Sequence, residues 1–200
     1  MTRESALSKD GRELRYLSYA VSAPIVAAIS FVALGLAESH SEIVQIAISL
    51  LFASVLPIVA IVYFARSGRT NLNIPNRRMR TKPFVAAIAS YFVGSIALFI
   101  ARAPSIMSGL MIAYTINTVI MLLVTRYWRK ASIHACGIMG PVSFLTYQFG
   151  AHAALLYLLV LPVGLVRLKM KEHTFMEVAE GAVIGLVATW LQLLFLLRAL

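Results

Sequence analysis

The sequence predicts an all-α fold, a polytopic transmembrane helical bundle of six to seven spans, on three observations. Of 200 residues, 60% are hydrophobic and only 13% charged, roughly half the charged share of soluble chains, which is about 25%. The apolar residues come in runs close to the roughly 20 that a helix needs to cross a hydrocarbon core of about 30 Å. The charge is one-sided, with 18 Lys and Arg against 8 Asp and Glu, and the basic residues fall between the apolar runs. These features exclude a soluble enzyme domain and a disordered chain. With Cys136 as the one cysteine, they also exclude a disulfide scaffold. Nucleic acid is not an expected partner, because binding it needs a solvated basic face on a soluble fold.

Taken in order, residues 1–16 form an N-terminal tail and residues 17–200 a single integral-membrane domain. The expected spans are Leu17–Ala37, Ile43–Ala65, Phe84–Ala101 and Ser105–Thr125. Two short ones follow between Ile133 and Val166, broken near Gln148, Phe149 and Gly150, and the last is Phe175–Leu197. The first run is too long for a cleaved signal sequence. Pro24, Pro57 and Pro162 lie inside spans and are expected to kink them. Ser90 with Gly94, and Gly181 with Gly185, are small residues four apart that let helices approach closely.

Seven spans put the N-terminus and three connections on one side, which then carries 16 of the 18 basic residues; Arg102 and Arg198 fall on the other. Short cytoplasmic loops are enriched in Lys and Arg. The crowded side is therefore expected to be cytoplasmic, in a multi-pass protein of a prokaryotic plasma membrane. The asymmetry persists when the four basic residues assigned below to a ligand are set aside.

Three polar clusters share that side. Residues 76–83 (Asn-Arg-Arg-Met-Arg-Thr-Lys-Pro) precede the third span, residues 131–137 (Ala-Ser-Ile-His-Ala-Cys-Gly) open the fifth, and residues 167–177 lead into the last. Alone, each has a plain explanation. The first reads as an interfacial anchor, Thr174 with Glu177 as a capping box, and His134 as a locally bonded helix-end histidine. Together they read differently. Glu177 follows His173 by four residues, so its carboxylate can hold the imidazole from the same helix face. His134 lies on the same side, and arginines converge from two loops. Two histidines, a carboxylate and several guanidiniums suit phosphoryl transfer without metal. One histidine attacks phosphorus, the other protonates the leaving oxygen, and the cations hold the developing charge. Arginine adds bidentate geometry toward phosphate oxygens.

The third cluster, Arg167-x5-His173-x3-Glu177 followed by Gly181 and Gly185, resembles the final motif of the type 2 phosphatidic acid phosphatase superfamily, in which Arg-x5-His-x3-Asp opens the last helix. Ala131-Ser132-Ile133-His134 is similar to that family's Pro-Ser-Gly-His, and Arg77, Arg80 and Pro83 resemble the Arg-x2-Arg-x2-Pro of divergent members. The likeness covers about residues 70–190. It implies a hydrolase of lipid phosphates or prenyl diphosphates, working without cofactor or metal. His173 would form a phosphohistidine, Glu177 would orient it, and His134 would be general acid and then base. Arg167, Arg80, Arg77, Lys82 and Ser132 would bind phosphate. Three positions depart from the family pattern: Glu177 replaces Asp, Ile133 replaces Gly, and Pro75 stands where the first motif has Lys.

A transferase that grips magnesium diphosphate needs clustered carboxylates. Asp10 is the one Asp in the chain, which argues against that class, and the histidines and cysteine lack the close pairing of zinc ligands. The non-enzymatic alternative is a lipid-phosphate or anion transporter or binding protein using the same basic pocket. The two histidines favour chemistry, since arginines suffice for binding, and no internal repeat of the transporter kind is evident. The expected partners are the lipid substrate and the membrane lipids, with a homodimer left open.

Overall fold

The computed structural model describes Ser18, residues 21–66 and residues 80–199, with side chains described as far as Phe195. Seven helices and no strands occur among the described residues: α1 (Ala23–Ala37), α2 (Ile43–Arg66), α3 (Thr81–Ile100), α4 (Ser105–Tyr127), α5 (Ile133–Phe149), α6 (Ala151–Lys169) and α7 (Phe175–Ala199). Five of them, α2, α3, α4, α6 and α7, are long and apolar enough to cross a membrane. The 15 residues of α1 and 17 of α5 reach only about 22 and 25 Å at 1.5 Å per residue, short of a 30 Å core. Length therefore supports five crossings directly rather than six or seven. The outward faces are hydrocarbon, with Leu36, Ile100 and Phe195 each more than 70% exposed. Apolar surface on this scale belongs against lipid, and the protein is membrane-embedded.

Several boundaries differ from the sequence-based expectation, and proline chemistry explains most of them. The first helix begins at Ala23 rather than Leu17, with extended Ser22 before it and Pro24 in its first turn. A proline there gives up an N–H that would have no helical partner, so Pro24 starts a helix and does not kink one. Pro57 lies two residues past the end of a π-helical turn, Leu51–Val55. A wider turn before proline absorbs its missing donor. Pro162 falls in the first turn of the α-helical half of α6, after a 3-10 segment at Ala151–Leu159. That segment rises faster per residue, so the 19 residues of α6 extend about 33 Å instead of about 28 Å. Pro141, which the sequence reading does not mark as a helix feature, is the proline within α5. Gly150 ends α5 with φ 88°, a conformation that side chains resist.

The core is built around α4 and α5. Phe31, Leu34, Leu98, Met107, Leu110, Met111 and Phe144 form its apolar centre, and every residue of α5 from Ala135 to Leu145 is buried. Small residues bring α7 onto α5. A Cβ on Gly181 would collide with the Ser132 carbonyl, and one on Gly185 would lie 2.7 Å from the Cys136 carbonyl oxygen. Polar contacts across helices add to this in place of a hydrophobic drive. Asn117 Nδ2 donates to Thr189 Oγ1 at 2.8 Å, and Gln192 Nε2 donates to Asn117 Oδ1 at 2.8 Å. Trp190 Nε1 donates to the Tyr157 hydroxyl, which donates to Ser143 Oγ. This packing gathers the N-termini of α3, α5 and α7 and the C-terminus of α6 at one end of the bundle.

Candidate active site

The geometry at that end starts from how α6 stops and α7 begins. The Glu172 N–H donates to the Arg167 carbonyl at 3.1 Å and the Lys171 N–H to the Leu168 carbonyl at 2.9 Å, with Lys171 at φ 54°. This is a Schellman ending with a left-handed residue after the helix. Two residues later Thr174 caps α7. Its Oγ1 accepts the Glu177 N–H at 3.3 Å, and its own N–H donates to Glu177 Oε2 at 3.0 Å, a reciprocal capping box. The spacing from Arg167 through His173 to Glu177 is thus one helix end joined to one helix start.

His173 sits between the two and is buried, 6% exposed. Arg80 Nη2 lies 3.4 Å from its Nε2. A guanidinium has only donors, so Nε2 is the acceptor and the ring proton is on Nδ1. That nitrogen donates to Glu177 Oε2 at 3.1 Å. The same carboxylate oxygen therefore caps α7 and fixes the tautomer of His173, uniting the two explanations the sequence offered for Glu177. Burial first, then the charges of Arg80, Arg167, Lys130 and His134, hold the His173 imidazole far below its usual range, at about 2. It is neutral at physiological pH, with the Nε2 lone pair facing a cation.

Arg80, 5% exposed, also lies 3.5 Å from the Ala131 carbonyl oxygen through Nη1. Burial, then the nearby Arg167 charge, lower it to about 10, so it stays cationic at neutral pH. Arg167 is 1% exposed. Its Nη1 donates to Ser18 Oγ at 2.8 Å and its Nη2 to the carboxylate of Glu172, while its buried Nε has no partner among the described residues. Lys130 Nζ donates to the Glu172 carbonyl at 2.6 Å, and the Ser132 N–H donates to the Glu177 carbonyl at 2.8 Å, tying the start of α5 to that of α7.

A cavity of about 360 Å³ opens beside these groups. Arg80, His134 and Arg167 line its polar end, and Pro24, Ile25, Pro57, Ile58, Ile61, Val62, Phe84 and Ala87 are among its apolar walls from α1, α2 and α3. His134 presents a buried Nδ1 without a hydrogen-bond partner among the described residues. An anionic head with a hydrocarbon tail matches both ends of this space.

Of the residues expected from sequence, Arg80, His134, Arg167, His173 and Glu177 come together. Arg77 lies outside the described residues. Lys82 is exposed on the first turn of α3 and does not line the cavity. The Ser132 hydroxyl is fully buried and accepts the Ala135 N–H at 3.4 Å as the cap of α5. Sequence reasoning missed Glu172, Lys130 and Ser18. Glu172 had a signal in principle, an Arg and a Glu five apart across a helix end, but Lys171 concealed it by taking a conformation usually announced by glycine. No group of three or more His, Cys, Asp or Glu side chains arranged to hold a metal ion occurs among the described residues.

No protein-family model, curated protein or solved structure matches this chain.

Proposed function

We propose that the protein is an integral-membrane phosphatase of the type 2 phosphatidic acid phosphatase kind, hydrolysing a lipid phosphate or prenyl diphosphate through a phosphohistidine on His173. The observation that carries this reading is the imidazole itself: buried, neutral, its Nδ1 proton given to Glu177 and its Nε2 facing Arg80. A nucleophilic histidine needs that tautomer and an oriented partner, and the guanidinium against its Nε2 is a group that can also hold phosphoryl oxygens.

In the first step His173 Nε2 attacks phosphorus as Arg80 transfers its hydrogen bond to a phosphoryl oxygen. The bond from phosphorus to the leaving oxygen breaks, and His134 gives that oxygen a proton. In the second step water attacks the phosphohistidine, His134 takes the water's proton, and the N–P bond breaks to release phosphate and regenerate His173. Glu177 stabilises the charge that His173 carries in between. The tail lies against α1, α2 and α3 in the apolar part of the cavity. On this reading the bundle crosses the membrane seven times, α1 and α5 being the short members, with the site at the cytoplasmic face, the side on which Lys and Arg are enriched in short loops. Substrates made on that side, prenyl diphosphates first and phosphatidic acid or phosphatidylglycerol phosphate next, fit this placement.

The purified protein in EDTA should release inorganic phosphate from a prenyl diphosphate or a lipid phosphate, and His173→Ala should lower kcat by about 10³-fold or more, the scale for removing a catalytic nucleophile. Full activity in His173→Ala would end the mechanism. Phosphate binding by the wild type without turnover would support the transport or binding alternative instead.

A further inference from the structure

Glu172 takes no part in the reaction above, yet its carboxylate rests on one of the guanidiniums proposed to hold phosphate. The Schellman ending of α6 produces this contact, because it sets the side chain of the second residue past the C-cap Met170 against that of the residue five before it. A hydrophobic pair is common there; here the pair is Arg167 and Glu172. The Nε and Nη2 donors of a guanidinium lie on one edge, which can grip an oxyanion with two parallel hydrogen bonds. Glu172 fills only the Nη2 half of that edge, and the Nε half is buried and unpartnered among the described residues. Arg167 borders the cavity. A half-filled bidentate edge on a residue that borders a cavity with room for an anionic head is a seat built for more than this carboxylate.

We infer that Glu172 is a displaceable stand-in anion: the substrate phosphoryl group takes the Nε–Nη2 edge of Arg167 as the carboxylate leaves, and its return expels inorganic phosphate. The identity of the anion rests on the phosphatase reading, while the seat on Arg167 does not. The backbone of Glu172 is fixed by its bond to Arg167 and by Lys130, so the exchange needs only a side-chain rotation. The Glu172 side chain keeps 14% exposure, an outlet through which the carboxylate can reach water. A carboxylate and a phosphate cannot occupy one guanidinium edge together. The charge of Glu172 therefore weakens product binding without entering the chemistry.

Titration of the detergent-solubilised full chain with inorganic phosphate, alongside steady-state kinetics, tests this. Glu172→Gln should bind phosphate at least about tenfold more tightly than wild type, the equivalent of one charge-assisted contact. KM and kcat should fall together as release slows. In an Arg167→Lys background the gain should vanish, because lysine offers no bidentate edge. Phosphate affinity in Glu172→Gln that is equal to or weaker than wild type overturns the inference, as does an undiminished gain beside Arg167→Lys. Glu172→Asp keeps the counter-charge with a shorter arm and serves where the Gln variant does not fold; it too should bind phosphate more tightly, and failure to do so counts against the seat. Wild-type phosphate binding that tightens in Glu172→Gln, with no turnover in either, removes the phosphatase reading and leaves the seat. Turnover with unchanged phosphate affinity in Glu172→Gln does the reverse.

Discussion

His173 is held neutral by its surroundings, and that carries a linkage consequence at the scale of the single residue. In the unfolded chain its imidazole takes up a proton below about pH 6.5, whereas in the folded protein burial and neighbouring cations delay protonation to about 2. Between those values the unfolded state binds more protons, so stability is lost as pH falls. Thermal unfolding in detergent should show a wild-type decline from pH 7 to pH 5 that is shallower in His173→Asn, the difference reaching about 1.4 kcal/mol per pH unit below pH 6. An identical slope in the two proteins would contradict the buried, neutral assignment. Lys171 is the other residue under local constraint, a non-glycine at φ 54°. Left-handed backbone costs about 1–2 kcal/mol for residues with a Cβ, so Lys171→Gly should raise stability by about 1 kcal/mol, with a higher Tm as the readout.

At the scale of elements, the site is a product of helix ends. The close approach of α7 to α5 sets the His173 turn against the start of α5, and Gly181 permits it because a Cβ there would strike the Ser132 carbonyl. Backbone cannot retreat as a side-chain tip can. Gly181→Ala should therefore destabilise the protein by about 1–3 kcal/mol, within the range for overpacking, and lower turnover more than a surface substitution such as Val183→Ala. Equal Tm values for Gly181→Ala and wild type would show that the helices pack otherwise. The small-residue pairs, the break at Gly150 and the capping box from Thr174 to Glu177 were legible from spacing, because each follows from local backbone rules. The π-helical turn at Leu51–Val55 and the 3-10 half of α6 were not, since they answer to neighbouring prolines and to length rather than to apolar pattern. Within the site, Arg167, His173 and Glu177 could be placed together because fixed local motifs link them. Glu172 escaped notice because its partner is set by a left-handed lysine. The Ser132 hydroxyl, expected to bind phosphate, is found capping α5, since N-caps and phosphate ligands draw on the same residue type.

The whole molecule has a polar, basic end and a hydrocarbon belt. The same asymmetry of charge that fills the site also orients the chain, if the crowded loops face the cytoplasm. Arg129, half exposed beside Glu180, reports the orientation. An Arg129→Cys protein in intact cells should resist a membrane-impermeant thiol reagent and react once the cells are opened, with buried Cys136 silent throughout. Labelling in intact cells would reverse the topology and with it the substrate pool. The central claim, however, is covalent, and it is met by trapping the intermediate. With an aryl phosphate, whose leaving group needs no acid, His134→Ala should still phosphorylate His173 but hydrolyse the adduct slowly. Rapid alkaline quenching and peptide mass spectrometry should then find one phosphoryl group, on His173. Turnover of the aryl phosphate with no adduct in His134→Ala, or an adduct on any other residue, would contradict the account.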